Sequence, residues 1–183
     1  MNSTVIVLIL IAIIVVAAVA VVMGRKRRAE RLKREFGPEY EHQVRAAGGS
    51  QAKAEAELIK REKRVEKLDI RPLPAEEHDR YAAEWRDVQA RFVDDPERAI
   101  AMADALVAEV MKARGYPVQD FEQRAADISV DHPHVVANYR AAHDIAVKRS
   151  AGKADTEDMR AAFIGYRSLF DELLHERTAE PAH

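Results

Sequence analysis

The sequence contains no cysteine, which excludes disulfide bonds, zinc–thiolate sites and a thiol nucleophile. It also lacks the G-x-S-x-G, Walker and G-x-G-x-x-G patterns that build a serine nucleophile elbow, a phosphate-binding loop and a dinucleotide site. The net charge of only −2 on 183 residues argues against a strongly basic nucleic-acid binder. We therefore expect no catalytic residue, no cofactor-binding residue and no cofactor.

Signals for β-strands are equally scarce. No stretch alternates apolar and polar residues for long, and no Asn-Gly or Asp-Gly hairpin turn occurs. Apolar residues instead recur at the spacing of one helical face along much of the chain. The sequence predicts an all-α fold, with a single N-terminal transmembrane helix, a charged helical stalk and a compact bundle of four to five helices.

The one long apolar run lies at the N-terminus. Residues 5–23 are 19 residues without a charged or strongly polar side chain. As a helix they would reach ~28 Å, close to the ~30 Å hydrocarbon core of a bilayer. A cleaved signal peptide is the alternative, since Ala18-Val19-Ala20 fits a cleavage site. We predict an uncleaved anchor over residues 1–24, because the run is long and no basic residue precedes it.

A basic collar, residues 25–34, follows the apolar run directly. It holds seven basic residues and one acidic residue, a net charge of +6. Basic residues beside a span stay in the cytoplasm and are attracted to the anionic inner leaflet. We therefore expect the N-terminus outside and the C-terminal domain in the cytoplasm; an anchored domain on the outer side is the alternative. The side chains predicted to meet the membrane surface are Arg25, Lys26, Arg27, Arg28, Arg31, Lys33 and Arg34. Nucleic acid is not an expected partner of this cluster, because its position beside the span favours the membrane.

The region between the apolar run and the bundle, residues 25–74, is predicted to be a juxtamembrane neck and a charged helical stalk. Gly37-Pro38 should end the first helix, because proline cannot continue the hydrogen-bond ladder. Residues 51–68 are rich in helix formers and poor in apolar residues, which predicts a solvated helix. Arg71-Pro72-Leu73-Pro74 then requires extended backbone and marks a domain boundary.

The predicted bundle covers residues 75–177 and holds nine of the eleven aromatic residues. Asp94-Asp95-Pro96 predicts a capped helix start, and Gly115 with Pro117 predicts a helix end. Residues 35–183 carry 22 basic and 30 acidic side chains, a net charge of −8. An acidic body thus stands behind the basic collar. Residues 178–183 are predicted to be a disordered tail.

The sequence has one cluster of histidines that could be considered as a metal site. His132 and His134 lie close to His143 and Asp144, and neutral imidazoles bind divalent metals. The two histidines straddle Pro133, however, and the i,i+4 spacing of H-E-x-x-H is absent. No metal-binding residue is predicted. A metal-dependent or acid/base enzyme that uses this region is the weakest of the functional alternatives.

One segment, residues 113–127, has more aromatic and arginine residues than helix patterning requires. A helix end followed by an amphipathic restart would explain it structurally. Aromatic residues and arginine are also the usual anchors of protein interfaces. The candidate interaction surface consists of Arg114, Tyr116, Phe121, Glu122, Gln123 and Arg124.

The segments 81–96, 113–133 and 138–146, with the neck sequence REFGPEY and the RPLP linker, resemble a bacterial family of small membrane-anchored helical proteins. The resemblance covers most of residues 25–175. It implies an N-terminal span, a basic neck and a helical domain. It brings no assigned activity, cofactor or catalytic residue.

Three functions follow as hypotheses. The first is a membrane-tethered helical interaction or scaffold module without a catalytic site, whose partners are the lipid bilayer and a protein; self-association into a homo-oligomer is left open. The second is a helical domain that binds a small molecule or a lipid in a pocket between its helices. The third is the histidine-based enzyme.

Overall fold

A computed structural model describes residues 3–150 and 155–175, with side chains described for 10–149 and 155–175. These residues form helices without any strand, so the all-α prediction is confirmed. The helices are α1 (Ser3–Phe36), α2 (Pro38–Ala46), α3 (Gln51–Val65), α4 (Ala75–Asp94), α5 (Pro96–Ala113), α6 (Phe121–Asp131), α7 (Pro133–Ser150) and α8 (Thr156–His175).

Several helix boundaries lie where the sequence places them. The carboxylate of Asp95 accepts a hydrogen bond from the backbone N–H of Arg98 at 3.1 Å, and Pro96 is the first residue of α5. α1 ends at Phe36, and Gly37 follows with a φ of +48°. Asp131, the last residue of α6, accepts a hydrogen bond from the Tyr116 hydroxyl at 2.5 Å.

The bundle of α4 to α8 has one apolar core, which is rich in aromatic side chains. Trp85 of α4 stacks on Phe163 and Phe170 of α8, with ring centroids 5.3 and 4.5 Å apart. Burying such large rings is the main source of stability in a core of this size, and stacked pairs add to it. The helical spacing of Tyr81, Trp85, Val88 and Phe92 predicts that they share one face of α4. The first three are buried, and Phe92 is half-buried against the same core.

Helices α7 and α8 approach each other closely at Gly165. A Cβ atom at this position would lie 2.6 Å from the backbone oxygen of Asn138 and 3.0 Å from the Cβ of Ala142. Only a residue without a side chain fits there, so Gly165 sets the distance between the two helices.

We predict that Gly165→Ala lowers the thermal unfolding temperature. Alanine gains ~1 kcal/mol of helix propensity over glycine, but overpacking costs ~1–3 kcal/mol because a backbone oxygen cannot move aside. Circular dichroism melting measures the net loss. Gly24→Ala is the matched control, since its Cβ would meet nothing within 4 Å. An equal or higher melting temperature for Gly165→Ala would contradict the close approach.

The neck differs from the solvated helix that the sequence predicts. One face of α3 is buried and consists of Ala54, Leu58, Arg61 and Val65. A second apolar cluster joins α1, α2 and α3 through Leu32, Phe36, Tyr40 and Leu58, and Val130 of α6 packs against it. The neck therefore packs on the bundle along α6 and α7 and does not extend into solvent.

Two other sequence predictions concern residues that lie partly or wholly outside the described region. Within that region, no helix has a stretch both long enough and apolar enough to cross a membrane. Residues 5–9 of the predicted span lie outside the part of the chain whose side chains are described, so the span stays a prediction. The predicted tail, residues 178–183, also lies outside the described residues.

Candidate functional site

The neck and the bundle are joined by a buried carboxylate. Glu39 of α2 is 1% exposed, and its Oε1 accepts hydrogen bonds from Arg61 Nη1 of α3 at 2.8 Å and from Arg140 Nη2 of α7 at 3.1 Å. Arg61 also donates to Gln43 Oε1 at 2.5 Å, and Arg140 donates to Glu122 at 2.8 Å. One carboxylate therefore connects two neck helices to the bundle.

A second buried pair lies beside the first. Asp127 of α6 is fully buried and accepts a hydrogen bond from Arg64 Nε of α3 at 2.6 Å. The side-chain amide of Gln123 donates to both oxygens of the same carboxylate at 2.9 Å. Taking charges out of water is costly, so each buried carboxylate depends on its arginine. The Arg140–Glu39 and Arg64–Asp127 pairs cross from the bundle to α2 and α3, and they fix the orientation of the neck, whereas Arg61–Glu39 joins the two neck helices.

We predict that Arg61→Met destabilises the junction by ~3 kcal/mol, because it leaves Glu39 with one cationic partner fewer in a buried site. Native-state hydrogen exchange should show faster exchange in α2 and α3. Lys60→Met is the matched control: Lys60 is 71% exposed and lies 3.7 Å from Glu57, and surface pairs contribute at most ~1 kcal/mol. Equal exchange in the two variants would show that the buried pair does not hold the neck.

Two residues of the predicted interaction surface serve the fold instead. Arg114 is 3% exposed and donates to the backbone oxygens of Arg71 and Leu173, at 3.3 and 3.2 Å. Tyr116 is 2% exposed and donates to Asp131 at 2.5 Å. Between them, Gly115 has a φ of +100°, and a Cβ there would lie 2.3 Å from the oxygen of Asp69. This turn thus locks the linker before α4 against the bundle and is not open to a partner.

The other four predicted residues form the start of α6. Arg124 is buried and lies 3.8 Å from Asp104, and its guanidinium is 5.8 Å from the centre of the Phe121 ring. Phe121 is half-buried, Gln123 is half-buried against Asp127, and Glu122 is exposed. The accessible part of the predicted surface is therefore much smaller than the sequence suggests.

The histidines do not come together. His132 is buried with its Nδ1 3.7 Å from Glu172, whereas His134 is exposed. In the described part of the chain, no group of three or more histidine and carboxylate side chains could hold a metal ion. Asp94 is exposed, and Asp95 is used as a helix cap.

The basic collar lies on the last part of α1. Six of its seven predicted membrane-surface residues are exposed, namely Arg25, Lys26, Arg27, Arg28, Lys33 and Arg34. Arg31 is half-buried and donates to both carboxylate oxygens of Glu62, at 2.9 and 3.1 Å. Arg25, Lys26 and Arg28 line a groove of about 630 Å³ between α1 and the start of α3.

A cleft of about 410 Å³ opens between α5 and α7, with Tyr166 of α8 at its base. Ile100 and Ala101 form one wall and Ala146 and Val147 the other. The volume is within the range of ligand pockets, ~300–1,000 Å³. The polar side chains that line it are Asp104, His143 and Tyr166, together with Glu97 and Arg149, which form an ion pair.

Four polar side chains from four helices lie close together behind this cleft. Asp104 and Tyr166 line the cleft, Arg124 lies 3.8 Å from Asp104, and the ring of Tyr139 lies 5.9 Å from that of Tyr166. Desolvation by burial raises the pKa of Tyr166, and the Asp104 carboxylate raises it further through its charge and through a hydrogen bond with the Tyr166 hydroxyl. Burial likewise raises the pKa of Tyr139. Both phenols therefore stay protonated over the physiological range.

We predict that alkaline unfolding is coupled to these two phenols. Their pKa in the folded chain is raised above the ordinary value of 10, so their contribution to stability is complete below pH 10 and is lost as the pH rises further. Phenolate absorbance should show two of the five tyrosines ionising only as helicity is lost. Tyr139→Phe with Tyr166→Phe should weaken this coupling. Ionisation of all five while the chain stays helical would contradict it.

Comparison with protein-family models, with curated proteins and with solved structures found no match to this chain.

Proposed function

We propose that the chain is a membrane-tethered helical interaction and scaffold module, anchored through residues 5–23 with its bundle in the cytoplasm. One observation carries the proposal. In the described part of the apolar run, the large hydrophobic residues from Leu10 to Met23 are each about half exposed or more. An exposed apolar surface of this extent needs a lipid or a protein to cover it. α1 continues without a break from this run into the packed neck.

The collar supports the orientation. Its exposed basic residues begin immediately after the apolar run, where they would meet anionic headgroups. The groove lined by Arg25, Lys26 and Arg28 would accept phosphate groups at that depth. Each basic residue near an anionic surface contributes ~1 kcal/mol, so the collar and the span act together.

The packed neck supports a scaffold role. The contacts of Glu39 with Arg140 and of Asp127 with Arg64 hold the neck on the bundle, so the bundle would face the membrane in one orientation. A tether of this kind raises the local concentration of the bundle for a protein partner in or at the membrane. Affinity purification of the full chain from its own membrane would identify that partner.

Cysteine labelling tests the topology. Because the chain has no native cysteine, single substitutions give an unambiguous reading. In intact cells, a membrane-impermeant maleimide should label Ser3→Cys and should leave Ala161→Cys, at an exposed position of α8, unlabelled until the membrane is opened. We expect this labelling pattern because the basic residues of the collar, which follow the span, should stay in the cytoplasm.

The reverse pattern would place the bundle outside and overturn the orientation, and recovery of the protein in the soluble fraction would overturn the anchor. The control changes Arg25, Lys26, Arg27 and Arg28 to glutamine. It should produce a mixed labelling pattern, because the charge difference across the span is then mostly removed.

A further inference from the structure

We propose that the groove between α1 and the start of α3 is a binding site for one lipid whose headgroup carries two phosphate groups. The site rests on the proposed anchor of residues 5–23, because that anchor brings the groove to the depth of the lipid headgroups. Such a site differs from the general attraction of the collar to an anionic surface, because it is saturable and selects one class of lipid.

The first observation is that the fold does not use the basic side chains of the groove. Arg25, Lys26 and Arg28 are exposed and form no ion pair with any described carboxylate. Arg31, one turn further along α1, does not line the groove and is bound to Glu62. The collar therefore contains one residue that holds α1 on α3 and three that are open to a ligand in one place.

The second observation is the placement of these three cations around α1. At 3.6 residues per turn, Lys26 lies ~100° from Arg25 on one side of the helix, and Arg28 lies ~60° from it on the other. Arg25 and Ala29 thus form the middle of the α1 wall, and the other two cations flank it. Two phosphate groups joined by a short linker match cations on both flanks better than one phosphate does.

The third observation is the charge and the size of the groove. Three basic residues and one acidic residue, Glu55, line it, which gives a net charge of +2. The Glu55 carboxylate accepts a hydrogen bond from the Tyr40 hydroxyl at 3.1 Å, so it has a partner within the neck. Two phosphodiester groups carry two negative charges and would neutralise the groove without excess. Its volume of about 630 Å³ is that of about twenty water molecules at ~30 Å³ each, which exceeds the space that one phosphate fills.

The fourth observation is the floor between the charged side chains. It consists of small and apolar residues, namely Ala29 of α1 and Ala52, Ala56 and Ile59 of α3. A free anion gains nothing from apolar walls, whereas the glycerol and the first acyl carbons of a lipid do. Ile59 also packs against the apolar cluster of the neck, which fixes this floor in position. A lipid is therefore a better occupant than a soluble anion.

Native mass spectrometry of the full chain in detergent micelles tests the proposal. The probe is tetraoleoyl cardiolipin, and dioleoyl phosphatidylglycerol is its analogue with one phosphate. One cardiolipin should bind per chain, at least about tenfold more tightly than phosphatidylglycerol, because each basic residue that meets a phosphate contributes about fivefold. Arg25→Gln with Arg28→Gln should weaken cardiolipin binding by about tenfold or more. Equal binding of the two lipids, or unchanged cardiolipin binding by this variant, would overturn the proposal.

Two further variants separate the groove from the charge of the collar. Arg27→Gln with Arg34→Gln is the matched control, since it removes the same charge from exposed positions that do not line the groove. It should keep the ratio of the two lipid affinities. Ala56→Leu fills the floor from an exposed position and should abolish the preference for cardiolipin while the melting temperature is kept. A preference that is lost in the control, or that survives in Ala56→Leu, would mean that charge alone attracts the lipid and would overturn the site.

Two further measurements separate the site from the anchor and from a soluble anion. The parent and the Arg25→Gln, Arg28→Gln variant should both float with vesicles of phosphatidylcholine alone. A parent that does not float would overturn the anchor and the lipid site with it, whereas a parent that floats but does not prefer cardiolipin would overturn the site alone. Inorganic pyrophosphate at the concentration of the lipid should not displace cardiolipin. Displacement would assign the groove to a soluble anion and overturn its assignment to a lipid.

Discussion

The arrangement of the whole molecule depends on one buried carboxylate. Glu39 lies where α2, α3 and α7 meet, and the two arginines that neutralise it come from a neck helix and from the bundle. A carboxylate placed there without both guanidinium groups would favour separation of the neck, because water would then solvate it better than the protein does. The apolar cluster of Leu32, Phe36, Tyr40 and Leu58 joins the three neck helices to one another, and Val130 of α6 in the bundle packs against it. The ionic contacts therefore select the orientation, and the apolar cluster supplies much of the stability.

The bundle depends less on buried charges than the junction with the neck does. Its core is built from stacked aromatic rings and a glycine crossing, and most of it needs no buried charge. Polar groups of the bundle are buried at the turn around Gly115, where Arg114 binds the linker, at Asp127, where α3 docks, and behind the cleft, where Asp104 lies beside Tyr166.

Much of the fold follows from local patterns, and the rest does not. The helical class, the cap at Asp95, the end of α1 before Gly37 and the buried stripe of Tyr81, Trp85 and Val88 depend on neighbours within a few residues. The burial of α3 was missed because an arginine lies on its inner face. Its acceptor Glu39 is 22 residues away, and Glu39 is 101 residues from Arg140.

The burial of Arg114 does not follow from the sequence, for a related reason. The groups that bind Arg114 are backbone oxygens 43 and 59 residues distant, and backbone oxygens leave no trace in a sequence. The cleft could not be predicted from the sequence either, because its lining comes from three helices. Only the packing of these helices brings Asp104 beside Tyr166. The sequence shows which side chains are chemically able to bind a partner. Only the packing shows which of them already have a partner within the fold.

The unbroken course of α1 gives the molecule a mechanical property. From Met23 to Phe36 the helix runs ~20 Å at 1.5 Å per residue, and its far end is clamped into the body by Leu32 and Phe36. With residues 5–23 in a bilayer, the helix would be a rigid connection between the span and the bundle and not a flexible one. A change of a few degrees in the tilt of the span, as occurs when bilayer thickness changes, would swing the bundle as one body over the membrane surface. The position of the bundle would thus report on the membrane that holds it.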